Sequence, residues 1–187
     1  MTHRAVAFST YGDPSVLELI ERPDPHPGPG QLRVRMRAAG LQPFDCAFRR
    51  GDLAGFMPAN FPQVLGNDFA GIVDEVGEGV NSFAAGDEVL GYCTLDAHAE
   101  LIVMDATHVV HRPATLPWHE AGGLSASGQT ALNALRDLDV QAGDTLLVHA
   151  AAGGVGTVAV QLAAVPLLLI TTKNPEEDTQ PAGAISA

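Results

Sequence analysis

The stretch Gly143-Asp-Thr-Leu-Leu-Val-His-Ala-Ala-Ala-Gly-Gly-Val-Gly156 decides how this chain is read. Residues 144–149 form a short apolar run with the length and composition of a strand. A glycine-rich turn follows, and then Val158, Val160, Leu162 and Ala163 recur in a helical pattern. Pro166 precedes a second apolar run at residues 167–170. Strand, glycine turn, helix and strand make one βαβ unit. Such a turn suits a dinucleotide: residues without a Cβ let the pyrophosphate approach the backbone, and the helix dipole faces the anion. Gly153 and Gly156 supply the last two glycines of a G-x-G-x-x-G pattern, Gly154 adds slack, and Ala151 occupies the first position. Glycine turns are common, and a merely structural turn is the alternative. The predicted strand before it and the predicted helix after it supply the confirming context.

Upstream of Pro117 the character differs. Residues 4–9, 16–21, 32–37, 71–76, 88–91, 98–104 and 108–111 read as short strands separated by turn signals. Leu32-Arg-Val-Arg-Met-Arg37 alternates apolar and basic residues, as a strand with one wet face does. The proline-rich residues 23–30 form a loop. Many short strands at this spacing predict a small barrel or rolled-up sheet. Helices are expected at residues 46–50, 118–121, 127–138 and 154–164. The fold class is therefore mixed: a β-barrel domain over residues 1–116, an incomplete α/β Rossmann unit over 117–172, and a loose polar tail over 173–187.

Bulk composition sets further bounds. Of 187 residues 46% are hydrophobic and 17% charged, which suits a compact globular protein. Lys and Arg number 10 against 22 Asp and Glu, a net charge of -12. That acidity repels phosphate backbones and anionic membranes, so nucleic acid is excluded as a partner. Residues 150–172 carry no charge until Lys173, yet their glycines, Gln161 and Pro166 divide them into turn, helix and strand rather than a membrane span. The two cysteines, Cys46 and Cys93, do not form a secreted disulfide framework, and no signal-peptide core opens the chain. The expected location is cytoplasmic.

Several ordered motifs resemble one family. The glycine turn, read from Ala150, resembles the A-x-x-G-x-x-G loop of the quinone oxidoreductases of the medium-chain dehydrogenase/reductase superfamily. Gly66-Asn-Asp-Phe-Ala-Gly71, then Gly77, Val80 and Gly86-Asp-Glu-Val89, resembles the family's barrel signature. Pro43-x-Asp45 followed by Arg49-x-Gly51 resembles its N-P-x-D-x-x-x-R loop, and Gly128-x-Thr130-Ala131 resembles the segment that joins its two domains. The resemblance covers about residues 4–163. It implies a GroES-like barrel and NADPH-dependent hydride transfer to a quinone or an α,β-unsaturated carbonyl compound. It also implies a cofactor held by Ala150, Gly153, Gly154, Val155 and Gly156, and it places Gln42, Asp45 and Thr130 near nicotinamide and substrate.

Zinc relatives within the superfamily use a Cys, a His and a second Cys around the metal. Here Gln42 stands at the first Cys, and Gly66-Asn67-Asp68 replaces the G-H-E segment. Carboxamides are poor zinc ligands, so no metal is expected. His108 and His111 are placed on opposite faces of a strand. Gln42 keeps an amide donor where relatives often carry Asn. Asp45 stands either beside the substrate or as a cap on the helix at 46–50. Thr130 either hydrogen-bonds nicotinamide or substrate, or only packs. Lys173, with Thr171 and Thr172, sits where an acidic ribose ligand would stand and leans toward the NADP phosphate. A dinucleotide domain needs two mononucleotide halves, and only one is expected within these residues. Three readings follow: a zinc-free reductase, a non-catalytic remnant with a binding surface, and, least favoured, a zinc alcohol dehydrogenase. Uncovered parallel strands predict homo-oligomerisation.

Overall fold

Alternate residues of β1 (Thr2–Phe8) point inward: His3, Ala5 and Ala7 are buried, while Thr2, Arg4 and Val6 face out. A single 3-10 turn at Pro14–Val16, capped by Asp13, leads into β2 (Leu17–Pro23), which runs antiparallel to β1. The computed structural model describes residues 1–164 and the strand at 184–186. They fall into two units, Met1–Ser125 and Ala126–Ala187.

The alternation predicted at residues 32–37 is present. In β3 (Gln31–Ala39), Leu32 and Val34 are buried, and Arg35 and Arg37 lie outside. The helix α1 (Pro43–Arg50) comes next, followed by β4 (Gln63–Val64), β5 (Asp68–Val76), β6 (Glu88–Tyr92), β7 (Leu101–Asp105) and β8 (Val109–His111). The strands make two antiparallel sheets, in the orders β2-β1-β4 and β7-β3-β5-β6-β8, with a bridge between Ala5 and Ala99. Leu32, Val34, Phe69, Val73, Val89 and Ile102 are buried in the main core. This is the expected rolled-up sheet.

Several element assignments differ from expectation. The strand predicted at 98–104 begins only at Leu101, because the N–H groups of Ala97 and His98 donate to Gly66 and Leu65 instead. The helix predicted from residue 46 begins at Pro43, since proline at the first helical position forfeits no hydrogen bond. The two-residue β4 is too short to leave an alternation signal. After β8, α2 (Trp118–Ala121) follows the change at Pro117. It nevertheless belongs to the first unit: Ala121 is buried with Ala70 and Leu90, and Trp118 packs on them.

In the second unit α3 (Ser125–Asp137), β9 (Leu147–His149) and α4 (Gly154–Ala163) occupy the predicted places. Ala131, Leu135, Leu146, Ala159 and Ala163 form their core. The strand β9 is shorter than the apolar run, and Leu147 and His149 are exposed. An uncovered face is what one covering helix leaves on a parallel strand. Its parallel partner is β10 (Ala184–Ser186), with Val148 opposite Ile185. These three residues fall in the stretch expected to be a loose tail, so that expectation is corrected there: Ala-Ile-Ser is small and β-branched enough to pair beside the apolar run. The second strand expected at 167–170 lies outside the described residues.

Candidate functional site

The turn between β9 and α4 has the geometry that its glycines predict. Ala150 adopts a left-handed conformation, φ 52°, and its carbonyl accepts the Gly153 N–H at 2.9 Å. A Cβ on Gly156 would lie 2.3 Å from the Ala150 oxygen and 2.7 Å from the Ala151 Cα, so only glycine fits. A Cβ on Gly154 would meet the Ser127 hydroxyl at 3.2 Å, which sets the start of α3 beside this turn. Gly153 caps α4 without a side-chain hydrogen bond, and no acidic residue occupies the first turn. The leading N–H groups of this helix, with Val155 among them, are thus oriented as anion donors. Thr157 donates its hydroxyl back to the Gly153 carbonyl at 2.9 Å and tightens the turn. Thr130 lies exposed on α3, one turn beyond Ser127. Lys173 lies outside the described residues.

In the first unit the start of α1 gathers three polar side chains. Asp45 is 2% exposed, and backbone donors occupy both of its carboxylate oxygens. The Gln42 N–H reaches Oδ2 at 2.8 Å and the Gly66 N–H reaches Oδ1 at 2.9 Å. Asp45 thereby ties the N-terminus of α1 to the loop before β5, which is the capping alternative left open for it. The Gln42 side chain turns to Asp68, with Nε2 donating to Oδ2 at 2.6 Å. Asp68 is fully buried at the start of β5. In the sequence Asp68 stands out only as a departure from G-H-E; the signal for its role is a carboxylate opening an apolar strand. Asn67, at the position of the family histidine, accepts the Leu95 N–H at 3.1 Å on Oδ1 and so shapes a loop.

The two histidines singled out as metal-ligand candidates have structural partners. His108 stacks on Tyr92 and His111 on Phe83, with ring centroids 4.7 and 4.8 Å apart. Burial, reinforced by Asp96, Asp68 and Asp45, pushes the Cys93 thiol up to about 12, so it stays protonated at neutral pH. Cys46 is exposed. Among the described residues no three His, Cys, Asp or Glu side chains converge as a metal cluster. Also among them, no helix is long and apolar enough to cross a membrane.

Comparison with known proteins accounts for this arrangement. Residues 28–131 match the alcohol dehydrogenase GroES-like domain. A quinone oxidoreductase from Pseudomonas aeruginosa is 39% identical over 180 residues, which is 93% of this chain and 54% of that protein. The quinone oxidoreductase from Coxiella burnetii superposes with a TM-score of 0.79 at 32% identity, over 94% of this chain and 57% of that one. The CurK enoyl reductase superposes with a TM-score of 0.84 at 28% identity, over 94% and 55%. The chain spans about half the length of the relatives it matches. By its barrel, its glycine turn and these similarities, the chain belongs to the alcohol dehydrogenase GroES-like family, in the quinone oxidoreductase branch of the medium-chain dehydrogenase/reductase superfamily.

Proposed function

We propose that the chain carries the barrel and the phosphate-binding turn of an NADPH-dependent oxidoreductase. Its substrates are quinones or α,β-unsaturated carbonyl compounds, reduced without zinc. The observation that carries this reading is the turn at Gly153–Gly156, where a Cβ on Gly156 would collide with the Ala150 carbonyl and the α4 N-terminus has no side-chain cap. That cradle fits a pyrophosphate held by backbone N–H groups. Ala150, Gly153, Gly154, Val155 and Gly156 hold the cofactor, and Lys173 pairs with the phosphate that distinguishes NADPH from NADH. When bound, the cofactor supplies a hydride.

The chain's own residues then position the reactants. One Gln42 amide hydrogen is engaged by Asp68, and the second remains to donate to a substrate oxygen that gains negative charge. Asp45 acts by holding Gln42 in place through the backbone, since both its oxygens are occupied by N–H groups. The exposed Thr130 hydroxyl serves nicotinamide or substrate. The Gln42 carboxamide, the Asn67 loop contact and the Gln42–Asp68 hydrogen bond do not form a zinc donor set, so charge is stabilised by hydrogen bonds. The protein is cytoplasmic and has no nucleic-acid or membrane partner. It forms a homo-oligomer that covers the exposed face of β9.

Titrating the 187-residue chain into NADPH and following nicotinamide fluorescence tests this reading. A saturable change, weaker with NADH and lost in Gly156→Val, is expected. No change with NADPH, or an equal change in the variant, would overturn it.

A further inference from the structure

The geometry points to a second binding site in the first unit, built for a small carboxylate with a hydrocarbon tail and anchored by Arg49. A cavity of about 470 Å³ lies against the outer face of α1, within the size range of small-molecule sites. Its walls are largely apolar, with Val6, Leu17, Leu41 and Leu65 among them. Leu41 is 81% exposed at its edge, so the cavity is open to solvent.

Arg49 lines this cavity and is only 6% exposed. Its guanidinium is permanently charged and presents donors in a planar fork. Among the described residues that fork makes no hydrogen bond or ion pair. Asp45, on the same wall, gives both oxygens to backbone N–H groups, and the His98 Nε2 is engaged by the Gly40 carbonyl at 3.0 Å. The neighbouring Asp13 is exposed and occupied by Ser15. Arg49 acts on Asp13 through its charge and helps to lower that carboxyl, but no hydrogen bond joins them, and a carboxylate matches the open fork in two parallel hydrogen bonds. The apolar walls take the tail of the same molecule. This site does not depend on the glycine turn or on cofactor binding.

Cys46 lines the cavity with an exposed thiol, whereas Cys93 stays protonated and half-buried, so alkylation reports on the cavity alone. The test follows the rate at which iodoacetamide modifies Cys46 in the full chain, read by peptide mass. Octanoate is expected to protect Cys46 saturably. Octanamide, which lacks the charge, should bind about tenfold more weakly, and so should acetate, which lacks the tail. Protection by octanoate should disappear in Arg49→Met. Equal protection by octanoate and octanamide, or none by octanoate, overturns the proposal on the unmodified chain alone, whatever the folding of the variant. Undiminished protection in a folded Arg49→Met protein also overturns it.

Discussion

In Met1–Ser125 every strand pairing is antiparallel. In Ala126–Ala187 the strand pairing among the described residues is one parallel pair, β9 with β10, whose partners lie more than thirty positions apart by their register. Antiparallel neighbours can be closed by turns, whereas parallel neighbours need a crossover and cover on both faces. The barrel accordingly buries large side chains such as Phe69, Val34 and Val89 completely, while β9 leaves Leu147 40% exposed. The contrast shows that the barrel is stabilised by its own core, and the second unit chiefly by the packing of α3 and α4 around Leu146.

The largest expected effect lies in the barrel. Phe69→Ala should cost about 3–5 kcal/mol in denaturant unfolding, because the fully buried ring leaves a cavity between strands. A cost below 1 kcal/mol would mean that the barrel core is not the stable part. Gly156→Val should cost about 1–3 kcal/mol, since the added carbons meet backbone atoms that cannot yield. Its loss should be confined to the second unit, with barrel amides unchanged in nuclear magnetic resonance spectra.

Asp45→Ala should destabilise the first unit by about 1–3 kcal/mol, because the Gln42 and Gly66 N–H groups lose their acceptor. Smaller still is the effect of Asp74. Burial pushes its carboxyl up, but hydrogen bonds from Arg35 and Arg33 outweigh this and hold it below the ordinary value. A depressed carboxyl contributes stability above its unfolded pKa and loses it as pH falls through the folded one. Asp74→Asn should therefore cost about 1 kcal/mol at neutral pH, and the difference should vanish progressively below about pH 4. A constant difference across that range would refute the ion-pair account. The smallest change is a gain. Ala150 in the left-handed region costs about 1–2 kcal/mol, and glycine there gives back about 0.5–1 in unfolded-state entropy. Ala150→Gly should thus raise stability by about 0.5 kcal/mol, measurable as a small rise in Tm.

Much of this was legible in the residues. Alternation in Leu32-Arg-Val-Arg-Met-Arg37 gave β3 because one face is buried and the other wet, and the spacing of Gly153, Gly154 and Gly156 gave the turn. The two-residue β4 was illegible, since two residues carry no period. So was β10, because a short parallel strand is specified by its distant partner rather than by its own pattern. In the candidate site Gln42 and Asp45 were identified by motif. Their hydrogen bonds to Asp68 and Gly66 were not, because those partners come from a segment over twenty residues away. The environment of Arg49 was equally hidden, since burial of an arginine is a property of the packed helix and not of its motif.

Amide hydrogen exchange on the 187-residue chain, with and without NADPH, tests the central claim most directly: a stable barrel beside a less stable unit that retains the phosphate turn. The slowest amides should lie in β3, β5 and β6, and saturating NADPH should slow exchange at Gly153–Gly156 and the first turn of α4 while leaving β3 unchanged. Equal protection in both units without cofactor, or no slowing at the turn with it, would contradict the account.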